Sequence, residues 1–162
     1  LGPAPRVAQA PPPPPPVAVI PPPPPPPPPP RPVTIAGGGT VASDKATLTP
    51  TGRGRIDSAL QELKTSGIQL SSVAIVGYTD PLGSPEHNQR LSVARANAVR
   101  DYMVSQGVPA GIIQAEGRGP TDLRITEAEC RSQGKARRRA DLIACLEPNR
   151  RVEVRATGEQ VR

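Results

Sequence analysis

Four polar residues are spaced around one short stretch in a way that suits the binding of a small polar ligand. Thr79 and Asp80 follow an apolar run of mostly β-branched residues, and Asn88 and Arg95 come next, in a segment with helical spacing. A strand and a helix that flank a polar loop fix its backbone, while the loop supplies hydrogen-bond donors and acceptors. The stretch from Gly77 to Ala96 is therefore the candidate site.

The opposite charges of Asp80 and Arg95 allow two interpretations. One is a salt bridge that ties the loop, and spacing alone favours it. The other is a zwitterion site, in which Asp80 accepts an ammonium group and Arg95 holds a carboxylate with its two-pronged guanidinium. On the same evidence Asn88 is expected to cap the following helix rather than to contact a ligand.

Other chemistry finds less support in the sequence. His87 is the only histidine, and no second histidine or cluster of cysteines and carboxylates accompanies it, which argues against a zinc site. A catalytic triad of Ser92, His87 and Asp80 can be drawn, but no motif places the serine on a strained strand-to-helix turn. The sequence therefore predicts no catalytic residue, no metal and no cofactor.

A basic run covers Lys135 and Arg137 to Arg139, in a chain whose formal net charge is +6. Such a surplus favours anionic partners in general. Aromatic residues that could stack on bases do not accompany the run, which argues against nucleic-acid binding. The run precedes an apolar helical segment, so we interpret it as a solvated first turn.

Residues 1–32 form a proline-rich segment, which holds most of the 25 prolines of the 162-residue chain. A tract of this kind cannot bury enough apolar surface to fold, and it adopts an extended polyproline helix. We interpret it as a stiff hinge; a docking ligand for an aromatic-lined groove is the alternative. The chain starts at Leu1 rather than methionine, so we expect it to be part of a longer protein.

The sequence after residue 32 predicts alternating strands and helices. A short strand signal lies in 33–42 with a turn or bulge at its glycines, and the first helix begins at Thr49–Pro50. The strand at 72–76 is continuously apolar, which indicates a central strand covered on both faces. A second helix is predicted from Pro85, and Gly107 and Pro109 end it. A strand at 112–116, a polar irregular segment over 121–134 and a helix over 140–146 follow. The last predicted strand is 151–156, with Arg151 on its wetter face.

The predicted order is β-α-β-α-β-α-β. Helices between strands indicate βαβ units. We therefore predict an α/β (α+β) domain, with a mixed sheet of about four strands and helices packed on it. With no Phe, no Trp and two Tyr in the chain, the core must be aliphatic.

Several motifs resemble one family. The segment GYTDPLGSPEHNQRLSVARA is similar to the core motif of OmpA-like peptidoglycan-binding domains, and 44–48, 116–119 and 149–153 resemble further motifs of that family in the right order. The resemblance covers 33–158, which leaves 159–162 as a C-terminal tail. The sequence departs from the family pattern at two places. His87 stands where the family commonly has an aromatic residue before the motif asparagine. Val41 to Ser43 stand where the first strand of the family often carries phenylalanines.

The resemblance implies a function and reverses the preference for a simple salt bridge. Such domains bind the diaminopimelate of the peptidoglycan stem peptide without covalent bonds, and so anchor the outer membrane to the cell wall. By position, Asp80 would hold the ammonium and Arg95 the carboxylate, with help from Thr79, Asn88 and one of Arg150 and Arg151. A wall-acting hydrolase and a polyproline-ligand scaffold remain the alternatives.

The resemblance also bears on the two cysteines, Cys130 and Cys145. The residues alone leave free thiols and a disulfide equally open, because the choice depends on the compartment. The family implies the periplasmic side of the Gram-negative outer membrane and therefore a disulfide. It also implies attachment to that membrane through an N-terminal barrel outside this sequence, and leaves a homodimer open.

Overall fold

A computed structural model describes residues 2–5, 7–25, 31–36 and 46–160. Within the first two of these ranges the chain is exposed and forms neither helix nor strand. The glycine turn at 37–39 and the family motif residues 41–45 lie outside the described residues. No helix in the described ranges is long and apolar enough to cross a membrane.

Four strands and four α-helices, with two short 3-10 helices, make up the described domain. The strands are β1 Arg31–Ala36, β2 Ile68–Gly77, β3 Ile113–Gly117 and β4 Arg151–Gln160. The helices are α1 Pro50–Thr65, α2 Pro85–Ser105, α3 Glu127–Ser132 and α4 Arg139–Cys145. The predicted order is confirmed, except that α3 lies in a segment predicted to be irregular.

Local sequence signals explain where α1 begins and ends. The Thr49 side chain accepts a hydrogen bond from the Gly52 backbone N–H at 3.1 Å, and Pro50 occupies the first helical position. These are the preferred residues of a helix N-terminus. Gly67 follows the helix with φ at +68°, a conformation that favours glycine.

The strands form one mixed sheet in the order β1-β4-β2-β3. β2 and β3 are parallel, whereas β4 lies antiparallel between β1 and β2. This confirms the predicted mixed sheet with β2 in an interior position. β4 continues to Gln160, so it includes the first two residues of the stretch expected to be a tail, and β1 includes the last two residues of the expected hinge.

One face of the sheet carries the core, which is aliphatic as predicted. Its buried side chains come from β2, β3, β4, α1 and α2 and include Val73, Ile75, Ile113, Val152, Val154, Ile56, Val99 and Met103. The opposite face is wetter: Ala74 and Val76 are half-buried, while Gln114 and Glu116 beside them are exposed. The prediction that β2 is covered on both faces is therefore wrong for the described part of the chain.

Two glycines let α2 lie very close to the sheet. Gly77 and Gly117 are neighbours in the parallel register of β2 and β3. A Cβ atom at Gly77 would collide with the Ser92 carbonyl, and one at Gly117 with the Ser92 side chain and the Val93 backbone N. The sheet therefore meets α2 backbone to backbone at Ser92, one turn before Arg95.

A cross-linked segment joins β3 to β4. Cys130 at α3 and Cys145 at the end of α4 form a disulfide, with Cα atoms 6.1 Å apart; the disulfide prediction is confirmed. The buried Asn149 side chain holds the start of the segment, since its oxygen accepts hydrogen bonds from the N–H groups of Arg124 and Ile125 and its nitrogen donates to the Ile125 carbonyl.

Replacement of both cysteines by serine should lower the free energy of unfolding by about 3 kcal/mol. The disulfide closes a loop of 15 residues, and a cross-link of that size restricts the unfolded chain by roughly this amount. Urea denaturation of the oxidised wild type and the double variant measures the difference. Dithiothreitol should bring the wild type to the stability of the variant and leave the variant unchanged; a loss below about 1 kcal/mol would contradict the prediction.

Candidate functional site

A pocket of about 290 Å³ lies where β2 ends and α2 begins. It collects the predicted site residues Thr79, Asp80, Asn88, Arg95 and Arg150, together with Leu82, Gly83, His87, Leu91, Arg139 and Ile143. Residues that lie up to 71 positions apart in the sequence therefore share one cavity. Arg151 does not line this pocket.

Asp80 lies three residues after the end of β2 and is almost completely buried. Its Oδ1 accepts a hydrogen bond from the Leu82 backbone N–H at 3.0 Å, and its Oδ2 accepts one from Arg150 Nη1 at 2.8 Å. The structure thus gives Arg150 the ion pair that spacing suggested for Arg95. Because a carboxylate has about four lone-pair directions, Asp80 retains capacity to accept further hydrogen bonds.

Arg95 enters the pocket from α2 and is only 1% exposed. Its Nη1 donates to the Tyr78 carbonyl at 3.4 Å. The guanidinium carries five N–H donors in a planar fork that matches a carboxylate. Its position is set by the close approach of α2 to the sheet at Gly77.

Asn88 holds the loop rather than the helix end. Its Nδ2 donates to the Leu82 carbonyl at 3.0 Å and to the Asp80 carbonyl at 3.4 Å. The N-cap of α2 is Ser84, whose Oγ accepts a hydrogen bond from the His87 backbone N–H. The prediction that Asn88 caps α2 is wrong, because the helix starts at Pro85 and Asn88 already lies in its first turn.

Thr79 lines the pocket and has a buried hydroxyl. The residue is 2% exposed, and its Oγ1 is buried without a hydrogen-bond partner among the described residues. Leaving a buried hydroxyl unpaired costs about 1–3 kcal/mol. A ligand that supplied a partner for this hydroxyl would recover that cost.

Arg150 and Arg151 point to opposite sides of the sheet, as successive residues entering a strand do. Arg150 lines the pocket and also donates to the Ile143 carbonyl at 2.9 Å, which ties α4 to the Asp80 side of the cavity. Arg151 instead lies over the Tyr78 ring, 3.9 Å from its centroid, and donates to the Asp122 carbonyl.

Arg151 also belongs to a charged network on that side of β4. Its Nε donates to Glu153, which accepts a second hydrogen bond from Arg124. Partial burial opposes ionisation of Glu153, but the hydrogen bonds from Arg151 and Arg124 outweigh it and lower the pKa of the carboxyl. Arg151 lies on the same face of β4 as the half-buried Glu153 and the exposed Arg155, as predicted, but Arg151 itself is only 2% exposed.

Ser92 is not placed to act as the nucleophile of a triad with His87 and Asp80. Ser92 is completely buried, its Oγ donates to the Gln89 carbonyl and accepts from the Gly119 N–H, and it does not line the pocket. His87 does line it. The described residues contain no group of three His, Cys, Asp or Glu side chains able to hold a metal ion.

Arg139 and Ile143 are lining residues that sequence reasoning missed. Both lie on α4, one helical turn apart. The basic run that contains Arg139 was interpreted as solvated, and nothing in its spacing indicated that one of its arginines reaches a cavity built by β2 and α2.

The fold and the pocket define a mixed α/β domain with a charged, polar pocket at the end of a central strand, and the comparisons give its family. The OmpA family model matches residues 42–144. Outer membrane protein A of Shimwellia blattae is 42% identical over 115 residues, which cover 71% of this chain and 46% of that protein. The chain belongs to the OmpA family. It spans less than half the length of that relative.

Similar solved structures agree with this family assignment. The OmpA-like domain of FopA1 from Francisella tularensis is 27% identical with a TM-score of 0.55, and the match covers 83% of this chain and 85% of that one. The cell wall anchor of the T6SS from Pseudomonas aeruginosa is also 27% identical with a TM-score of 0.55, covering 79% of this chain and 81% of that one.

Proposed function

We propose that the chain is a non-catalytic module that binds peptidoglycan through the diaminopimelate of the stem peptide. The observation that carries the proposal is that Asp80 and Arg95 share one pocket of about 290 Å³ with Thr79, whose buried hydroxyl has no hydrogen-bond partner among the described residues. Membership of the OmpA family and similarity to a structure described as a cell wall anchor support the same function.

The chemistry of the pocket complements the free end of diaminopimelate. That end carries one ammonium and one carboxylate on the same carbon. The Asp80 carboxylate would accept the ammonium, and the Arg95 fork would donate to the carboxylate. Thr79 would complete the hydrogen bonding, while Asn88 fixes the loop backbone from Asp80 to Leu82.

Arg150 has a supporting role in this proposal. It neutralises part of the Asp80 charge at 2.8 Å and keeps the carboxylate in place. Arg151 supports the site only from outside, since it packs on the Tyr78 ring and Tyr78 precedes Thr79 and Asp80.

At the scale of the cell, we propose that the domain links the outer membrane to the wall. Family membership assigns it to the periplasmic side of the Gram-negative outer membrane. The proline-rich residues 1–32 would act as a stiff spacer, since a polyproline helix rises about 3.1 Å per residue. The membrane attachment itself would come from a part of the protein outside this sequence.

Titration of the chain with meso-diaminopimelate tests the proposal. Saturable amide shifts are expected in the 77–96 stretch, first at Thr79 and Asp80. Pimelate keeps the two carboxylates and lacks the ammonium groups, whereas cadaverine keeps the ammonium groups and lacks the carboxylates. Both should bind far more weakly. The proposal is wrong if diaminopimelate causes no saturable shift there, or if either control binds equally well.

A further inference from the structure

Among the residues that the structure describes, the pocket lining carries more positive charge than one zwitterionic end requires. Three arginines line it, Arg95, Arg139 and Arg150, while Asp80 is the only carboxylate among the described lining residues. Arg150 already pairs with Asp80 at 2.8 Å. A diaminopimelate end adds one positive and one negative group. With its carboxylate on Arg95, no carboxylate among the described lining residues remains to balance the charge of Arg139.

The Arg139 side chain is available to a ligand. It is exposed, and it forms no hydrogen bond or ion pair with another residue that the structure describes. Ile143, four residues later on α4, lines the same pocket. Residues four apart share one face of a helix, so the face of α4 that carries Arg139 is the face directed at the cavity.

The fold holds α4 in place against the pocket at two points. The Ile143 carbonyl accepts a hydrogen bond from Arg150 Nη1, the same nitrogen that pairs with Asp80. Cys145, the last residue of α4, is bonded to Cys130. The position of the α4 backbone at Arg139 relative to the Asp80–Arg150 pair is therefore restrained by the protein before any ligand binds, as a recognition site requires.

We infer that Arg139 is a specificity-determining residue that holds a second carboxylate, contributed by the acidic residue next to diaminopimelate in the stem peptide. This inference rests on the proposed function. It predicts that the chain prefers an acidic diaminopimelate peptide, with that neighbouring carboxylate free, to the same peptide with the carboxylate amidated.

Calorimetric titration with two synthetic peptides tests the inference. Both are alanyl-γ-glutamyl-diaminopimelate, one with the glutamate α-carboxyl free and one with it amidated. The wild type should bind the free acid about fivefold more tightly, which is the upper range for an exposed ion pair. R139Q should bring the ratio close to one, and R139K should retain part of the preference because it keeps the charge but not the fork.

R137Q is the matched control, because it removes the same charge from an exposed neighbour that does not line the pocket; it should keep the fivefold ratio. The inference is overturned if the wild type binds both peptides equally, or if R139Q keeps the preference. Failure of the proposed function looks different, since the wild type would then bind neither peptide nor free diaminopimelate.

Discussion

Replacing Asp80 with asparagine should weaken diaminopimelate binding by roughly 30- to 150-fold, or about 2–3 kcal/mol. Asparagine has the size of aspartate and can keep the hydrogen bond from the Leu82 N–H, but it removes the negative charge that faces the ligand ammonium. The same change leaves Arg150 without its partner at 2.8 Å, so a repulsive cation then faces the ammonium. Calorimetry and sedimentation with purified peptidoglycan measure the loss.

The R95K variant tests the proposed carboxylate-binding side of the pocket, because it keeps the positive charge of Arg95. Lysine offers a point charge instead of a planar fork, so we expect binding to fall by about tenfold. R137Q changes a charge of the same sign away from the pocket and should bind diaminopimelate like the wild type. Circular dichroism should show all three variants folded. If folded Asp80→Asn and R95K both bind as tightly as the wild type, the site assignment is wrong.

Substitution of Gly77 by alanine should cost about 3 kcal/mol or more in the free energy of unfolding. The added methyl would collide with the Ser92 carbonyl, and a backbone atom within a helix cannot move aside as a flexible side chain can. Overpacking in a core typically costs about 1–3 kcal/mol, and here the clash is between two backbones. Any relief would require α2 to lift from the sheet and carry Arg95 with it.

Gly54→Ala provides the matched control. Gly54 lies within α1, and no atom of another group lies within 4 Å of a Cβ atom built there. Alanine is better than glycine inside a helix by about 1 kcal/mol, so this variant should be as stable as the wild type or more stable. Urea denaturation compares the two. Equal midpoints for Gly77→Ala and the wild type would refute the close approach of α2 to β2.

Local patterns were sufficient to predict most of the architecture. Thr49–Pro50 begins α1 as predicted, because capping depends on neighbouring residues alone. The apolar run at 72–76 was correctly assigned to an interior strand. The helix α3 was missed because its six residues show no apolar stripe, and its one buried residue is Cys130, which the disulfide holds in place.

The choice between Arg150 and Arg151 could have been made from the sequence. Side chains alternate along a strand, and Arg150 has the parity of the buried Val152 and Val154, so it points to the face on which α2 lies. The burial of Arg151 could not have been predicted this way. It depends on the Tyr78 ring and the Asp122 carbonyl, which come from distant parts of the chain.

The disulfide between Cys130 and Cys145 has a consequence for when the chain becomes competent to bind. Thiols stay reduced in the bacterial cytosol and are oxidised in the periplasm. Since α4 supplies Arg139 and Ile143 to the pocket, a newly made, reduced chain has a less restrained wall on that side. Under the proposed location, export would complete the pocket, so that the proposed affinity for the wall would develop in the compartment where the wall is found.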